Sequence, residues 1–242
     1  ILNTKGILHS EGLRTLNYTY VKRDSLENVS EYHTLIVPKG ERQKVIFSDS
    51  SWVVLNAQST MKYPVVFRGK ERKVYVEGEA YFEVTRDEKY PFVVSVKNFD
   101  VRVLGTSFNV MSYDDEFASS VTLLSGKVET TSGHDTVRLS PGEQVSITSD
   151  NRMTVQKTDI NVVVSWMDGK FGFSNERLDV IMRKICRWYD VEVLYAVPGI
   201  RERRFTGAPA SNMPLKELLE ALSTTTNLQF SLQDGVITIK QN

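Results

Sequence analysis

Residues 72–84 read RKVYVEGEAYFEV. Val74, Val76, Ala80, Phe82 and Val84 alternate with Tyr75, Glu77, Glu79, Tyr81 and Glu83, a period of two with one apolar face and one acidic, aromatic face. Gly78 stands where the alternation calls for an inward side chain, which marks a bend or a close approach of another backbone. Outward from this stretch, the chain from Tyr32 to Val155 is almost all strand. Further strands are predicted at Phe92–Val96, 101–110, 121–124, 127–130, 137–139 and 145–147. Turn residues separate them at Asp87-Glu88, Asn98, Asp114-Asp115, Ser125-Gly126, Ser132-Gly133 and Pro141-Gly142. No helical period interrupts the run. The pattern predicts an antiparallel, mainly β domain, either a sandwich or a solenoid-like stack.

The period changes near Trp166. Leu178, Ile181, Met182, Ile185, Cys186 and Tyr189 recur at helical spacing, and Val191, Val193 and Tyr195 then alternate as a strand. A second helix carries Leu215, Leu218, Leu219 and Leu222, with Pro214 expected in its first turn and Asn212 as its N-cap. Strand positions Leu228, Phe230 and Leu232 follow, and Asp234-Gly235 forms a tight turn into a last strand at 236–240. An offset of 37 carries Ser174, Asn175, Leu178, Ile181, Met182, Ile185, Val191 and Val193 onto Ser211, Asn212, Leu215, Leu218, Leu219, Leu222, Leu228 and Phe230. The second region is therefore predicted to be a small α+β domain with a pseudo-duplicated β-α-β unit.

The 242 residues are long for one small domain, so one or two domains are expected; 40% are apolar and 25% charged, as in an ordinary soluble globular protein. Lys+Arg and Asp+Glu both total 30. That balance, without basic blocks, argues against nucleic acid or an anionic membrane as the main partner. The short run 201–204, RERR, fits a solvated strand edge. One cysteine, Cys186, excludes an internal disulfide, and its place beside Ile185 suits a buried core thiol. His9, His33 and His134 are too scattered for a zinc site or a histidine-assisted triad, and no metal or cofactor is expected. No apolar stretch approaches the ~20 residues of a membrane span. A chain that opens on Ile1 is expected to be a fragment, with any targeting or anchoring segment lying upstream.

Two patterns invite chemistry. Glu77 and Glu79 share a strand face about 6.5–7 Å apart, a spacing that glycoside hydrolysis can use, although a solvated face accounts for them as well. Trp52, Tyr75 and Tyr81 are candidates for stacking on a sugar in a carbohydrate-binding module. Residues 101–110, VRVLGTSFNV, are different again. One glycine followed by a strand makes a poor phosphate loop. Val101 and Val103 hold one phase before Gly105, whereas Phe108 and Val110 hold the other after it, the signature of a β-bulge.

The ordered set of motifs resembles the periplasmic domain of the FecR family: VPKGER at 37–42, SWVVLNA at 51–57, MKYP at 61–64, then RKVYVEGEAYFEV at 72–84. Pro91-Phe92, VLGTSFNV at 103–110, LSGKV at 124–128 and LSPGEQ at 139–144 continue it in order. WMDGKF at 166–171 and RWYDV at 187–191 resemble the family's C-terminal extension, itself similar to the small signalling domain of secretins and TonB-dependent transducers. The likeness covers about residues 36–242; one departure is SDSS at 48–51, where the family shows Asp-Gly.

The resemblance implies a regulator and no metabolic enzyme: the periplasmic portion of a single-pass inner-membrane anti-sigma factor. Residues 1–35 would be a lead segment after a missing membrane helix, 36–160 the FecR-like domain and 166–242 the signalling-type domain. The implied partners are the signalling domain of an outer-membrane TonB-dependent transducer, site proteases, and a cytoplasmic sigma factor held by a segment absent from this chain. Exposed edges at Arg203, Arg204, Phe205 and Thr206, and at Val236, Ile237, Thr238 and Ile239, are the candidate partner-binding strands. Some family members cleave themselves at a Gly-Thr bond that Gly105-Thr106 matches, so this pair is either a reaction site or only a bend in the sheet.

Overall fold

The computed structural model describes residues 7–10, 13–21, 32–197 and 199–241. The chain forms two compact units, residues 1–160 and 161–242.

The first unit is built from β1 (Ile7–Ser10), β2 (Leu13–Asn17), β3 (Tyr32–Ile36), β4 (Gln43–Ile46), β5 (Trp52–Leu55), β6 (Thr60–Pro64) and β7 (Arg72–Glu83). It continues with β8 (Phe92–Val96), β9 (Phe99–Val103), β10 (Ser107–Ser112), β11 (Ala118–Ser125), β12 (Val128–Ser132), β13 (Asp135–Leu139), β14 (Glu143–Thr148) and β15 (Met153–Lys157). One layer runs β1-β2-β4-β5-β7-β10-β11-β14-β15 and the other β3-β6-β7-β8-β9-β12-β13. Of the two arrangements left open by the sequence, this is the layered one. Val74, Val76, Ala80 and Phe82 of β7 are buried in a core drawn from both layers, as their alternation predicts. Phe47 packs on Tyr63 and Phe92, and Phe82 on Phe92, with ring centroids 5.6, 5.9 and 5.9 Å apart.

β7 belongs to both layers. Its first half pairs with β6 and β8, and its second half with β5 and β10. The crossing falls at Gly78, whose φ is +101° and where an added Cβ would lie 2.7 Å from the Ser59 Cα. That is the close approach predicted for this glycine. Among the described strands of the first unit two pairings are parallel, β7 with β8 and β2 with β4, against the expectation of an all-antiparallel sheet. Because β7 ends in the other layer, the chain returns along residues 84–91 and enters beside the strand's beginning. Within 1–35, β1 and β2 extend the first layer and Tyr18 is buried in the core; residues 1–6, 11–12 and 22–31 lie outside the described set.

The short helix α1 (Ile160–Val163) spans the boundary into the second unit, which contains β16 (Phe173–Arg177), α2 (Leu178–Tyr189), β17 (Glu192–Tyr195), β18 (Arg204–Gly207), α3 (Leu215–Thr226), β19 (Leu228–Gln233) and β20 (Val236–Gln241). β16 and β18 form a two-stranded sheet, and β17-β20-β19 a three-stranded one. The duplication is visible in the coordinates: the offset of 37 carries α2 onto α3 end for end, and both helices stop at a left-handed residue, Asp190 and Asn227. Leu178, Ile181, Met182 and Ile185 of α2 share a core with Leu218, Leu219 and Leu222 of α3, so the leucines are core and not an external ridge. Cys186, expected to be a buried core thiol, is only half-buried, beside the fully buried Ile185. The expected cap is displaced: α3 begins at Leu215, Pro214 occupies the cap position in an extended conformation, and Asn212 lies outside the helix. Proline there loses nothing, since its missing N–H would have had no partner in the first turn.

Candidate functional site

Strands β9 and β12 are neighbours in one layer, β10 and β11 neighbours in the other. The chain therefore changes layers twice at one corner, once through Leu104-Gly105-Thr106 and once through Gly126-Lys127. The predicted single strand 101–110 is thus two strands, and its change of phase comes from the crossing; Val101 and Val103 face the core from one layer, Phe108 and Val110 from the other. A register irregularity does exist, one step later, where Ser107 and Phe108 oppose Ser125 and Leu123.

The Gly105-Thr106 peptide is closely held at this corner. Thr106 N–H donates to the Val84 carbonyl (3.2 Å) and its own carbonyl accepts from Val84 N–H (3.0 Å). The Thr106 hydroxyl, on a side chain only 4% exposed, donates to the Lys127 carbonyl at 3.0 Å. A Cβ on Gly105 would lie 2.6 Å from the Arg86 Cα. One on Gly126, whose φ is +92°, would lie 2.7 Å from the Gly105 carbonyl oxygen and 2.8 Å from Thr106 Oγ1. Glycine is needed at both positions because main chain fills the space a side chain would take. A groove of about 910 Å³ opens beside the corner, lined among others by Arg86, Arg102, Leu104, Gly105, Thr106 and Lys127. Chemically, the corner fixes one hydroxyl beside the carbonyl of the preceding residue, with a main-chain carbonyl as its acceptor.

Other candidates disperse or become structural. The Glu79 carboxylate accepts from Asn56 Nδ2 (2.8 Å) and Asn109 Nδ2 (3.0 Å), and the Gly78 crossing separates it from exposed Glu77. Trp52 and Tyr81 meet at 5.5 Å on the first layer, whereas Tyr75 belongs to the second, so the three aromatic residues do not form one platform. Tyr81 is pushed up to about 12 by burial first and the Glu83 carboxylate second. Among the described residues no group of three His, Cys, Asp or Glu could hold a metal ion. Nor is any described helix long and apolar enough to cross a membrane.

In the second unit the candidate strands part company. Val236, Ile237, Thr238 and Ile239 lie in the central strand β20, bonded to β17 on one side and β19 on the other, with Ile237 and Ile239 fully buried. They are not an edge, because the parallel return of β17 covers the side that sequence left open. Among the described residues β18 pairs only with β16. There Arg203, Arg204 and Thr206 are exposed and Phe205 is half-buried against the core. Asn175 ties this edge down, donating its N–H to Thr206 Oγ1 and accepting from Arg204 Nη1. Sequence reasoning missed β17, which among the described residues pairs with β20 alone. Glu192 and Ala196 direct their N–H groups at β20, so Val193 and Tyr195 direct theirs outward, beside exposed Leu194. Leu194, alternating out of phase with Val193 and Tyr195, was the available signal.

A layered, corner-crossing β unit is thus followed along one chain by a duplicated α+β unit. The model of the FecR protein family matches residues 33–129, and that of the FecR C-terminal domain matches residues 170–239. Two crystal structures of a candidate anti-sigma factor from Parabacteroides distasonis ATCC 8503, at 1.65 and 2.50 Å resolution, are similar to this chain. Each is 29% identical with a TM-score of 0.81; the first covers 87% of this chain and 99% of its own, the second 88% and 100%. No curated protein matches the sequence. The chain belongs to the FecR family, and its role is that of a signalling anti-sigma regulator.

Proposed function

We propose that this chain is the signal-receiving, periplasmic region of a membrane-anchored anti-sigma regulator, and that residues 161–242 take the signalling domain of an outer-membrane TonB-dependent transducer. The observation that carries the reading is the succession of both FecR domains along one chain, with anti-sigma structural relatives. The open edges of β17 and β18 support strand addition as the binding mode, since each offers a main-chain edge beside exposed side chains, Leu194 on one and Arg203 and Arg204 on the other. Release of the sigma factor would follow through proteolysis and the segments absent from this chain. The test is calorimetric titration of the chain with the isolated signalling domain of a transducer. Binding should weaken at least tenfold in Val193→Pro or in Phe205→Asp; unchanged binding in both folded variants would end the edge mechanism.

A second reading, self-processing, is favoured by the buried Thr106 hydroxyl at the glycine-clamped corner. In an N→O acyl shift, Thr106 Oγ1 adds to the Gly105 carbonyl carbon, the Gly105–Thr106 C–N bond breaks, and the hydroxyl proton passes to the freed amine. Water then hydrolyses the ester, leaving a Gly105 carboxylate and a Thr106 α-amine. Intact-mass measurement after incubation at neutral pH should give two fragments, and Thr106→Ala a single one. An uncut wild-type chain would make the corner architectural.

A further inference from the structure

The edge of the second layer opposite β13 carries a surface that the strand addition proposed above does not call on. Among the described residues β3 pairs only with β6. Its sequence, YHTLI, contains no Lys, Arg, Asp, Glu, Pro or Gly. Edge strands are usually blunted by charge, proline or a bulge, because unpaired N–H and C=O groups recruit further strands. The far edge of the same layer obeys that rule, with Asp135 and Arg138 exposed on β13. β3 does not. Ile36 is 70% exposed, more than any other large hydrophobic side chain among the described residues, and Tyr32 is 42% exposed.

Backbone parity sharpens the contrast. Val37 N–H donates to the Ser59 carbonyl at 2.9 Å, one step beyond the Ile36–Thr60 pair. Stepping back by two, Leu35 and His33 exchange their bonds with β6, so Tyr32, Thr34 and Ile36 aim theirs away from it. Pro64, which has no N–H to donate, sits opposite Tyr32 and agrees with this phase. The same three residues hold the exposed side chains. Free bonding groups and exposed apolar groups therefore coincide on one short strand.

We propose that β3 pairs antiparallel with β3 of a second copy of this chain, about a two-fold axis through Thr34. In that register Thr34 exchanges bonds with its own counterpart, and Tyr32 exchanges them with Ile36 of the second copy, in both directions. All the outward groups of the strand are then used. The contact is isologous, as a closed dimer requires. Each Tyr32 ring lies beside an Ile36 side chain of the other copy, an aromatic and β-branched pairing of the kind that stabilises sheets. No Lys, Arg, Asp or Glu side chains oppose one another along the strand, because it carries none.

Sedimentation velocity over a concentration series on the purified chain tests this. The wild-type chain should pass from monomer to dimer as concentration rises, and Ile36→Lys should remain monomeric with an unchanged thermal melt. In a Cys186→Ser background, Thr34→Cys should form an interchain disulfide under mild oxidation, since the two thiols meet on the axis, whereas Thr136→Cys on β13 should not. A wild-type chain that stays monomeric into the millimolar range overturns the proposal. So does a dimer that survives Ile36→Lys, or equal cross-linking at both cysteine positions, either of which would assign the contact to another surface.

Discussion

Gly126 and Gly142 are both left-handed, with φ of +92° and +84°, yet only Gly126 has neighbours in the way of a side chain. Gly126→Ala should therefore lower stability by more than the roughly 1–3 kcal/mol of backbone strain that the two positions share, because it also collides with Gly105 and Thr106. Gly142→Ala should show the strain alone; thermal unfolding of the two variants separates the contributions. Asp179 illustrates an electrostatic contact at the same scale. Burial pushes its carboxyl up, but the two hydrogen bonds and charge of Arg177, with Arg183 and the Val180 N–H, outweigh that and hold it below the ordinary carboxylate range. A folded-state value below the unfolded one means the stabilisation is present above the unfolded value, ~4, and is lost as pH falls through the folded one. Asp179→Asn should cost about 1–3 kcal/mol at neutral pH and flatten the acid limb of the stability profile, measured by chemical denaturation at several pH values. The collision at Gly126 and the contact of Asp179 were not legible in sequence, and nor was the role of Arg72. The alternation of β7 marks Arg72 only as a strand position, yet it is 4% exposed and bonded to Asp49 at 2.6 Å.

Strand identity was largely legible from the period of two, and helix identity from the 37-residue repeat; strand position within a sheet was not. β20 alternates just as an edge strand would, and only its two neighbours, one parallel and one antiparallel, reveal it as central. This has a direct consequence for mutagenesis. Thr238→Pro removes an N–H from a strand bonded on both sides and should unfold the second unit, with loss of its helical circular dichroism. Val193→Pro removes an outward N–H from an edge and should leave that signal intact. Equal melts for the two variants would contradict the assigned sheet order. The repeat carried over to the helices, their caps and the strand after each one, but not to the strand before. β18 lies at Arg204–Gly207, upstream of the offset position of β16, because residues 208–214 are spent on a bridge at Ala210 and a turn into α3.

Each unit has a hydrophobic core of its own, one drawn from both layers of strands and one from two helices and their sheets. Residues 161–242 expressed alone should accordingly unfold in a single cooperative transition by circular dichroism; a chain without tertiary structure would show that this core needs the first unit. The sequence by itself determined the β and α+β classes, the duplicated helices, the turn glycines and the family. All of these are written in local periods and in motifs read in order. The tertiary structure alone decided that residues 101–110 cross between layers, that Thr106 is buried against Lys127, that 236–239 is interior, and that β17 and β3 are open edges. The reason is physical: a strand's side-chain period reports which face is buried, whereas its hydrogen-bonding partners come from segments tens of residues away and leave no mark on the strand's own sequence.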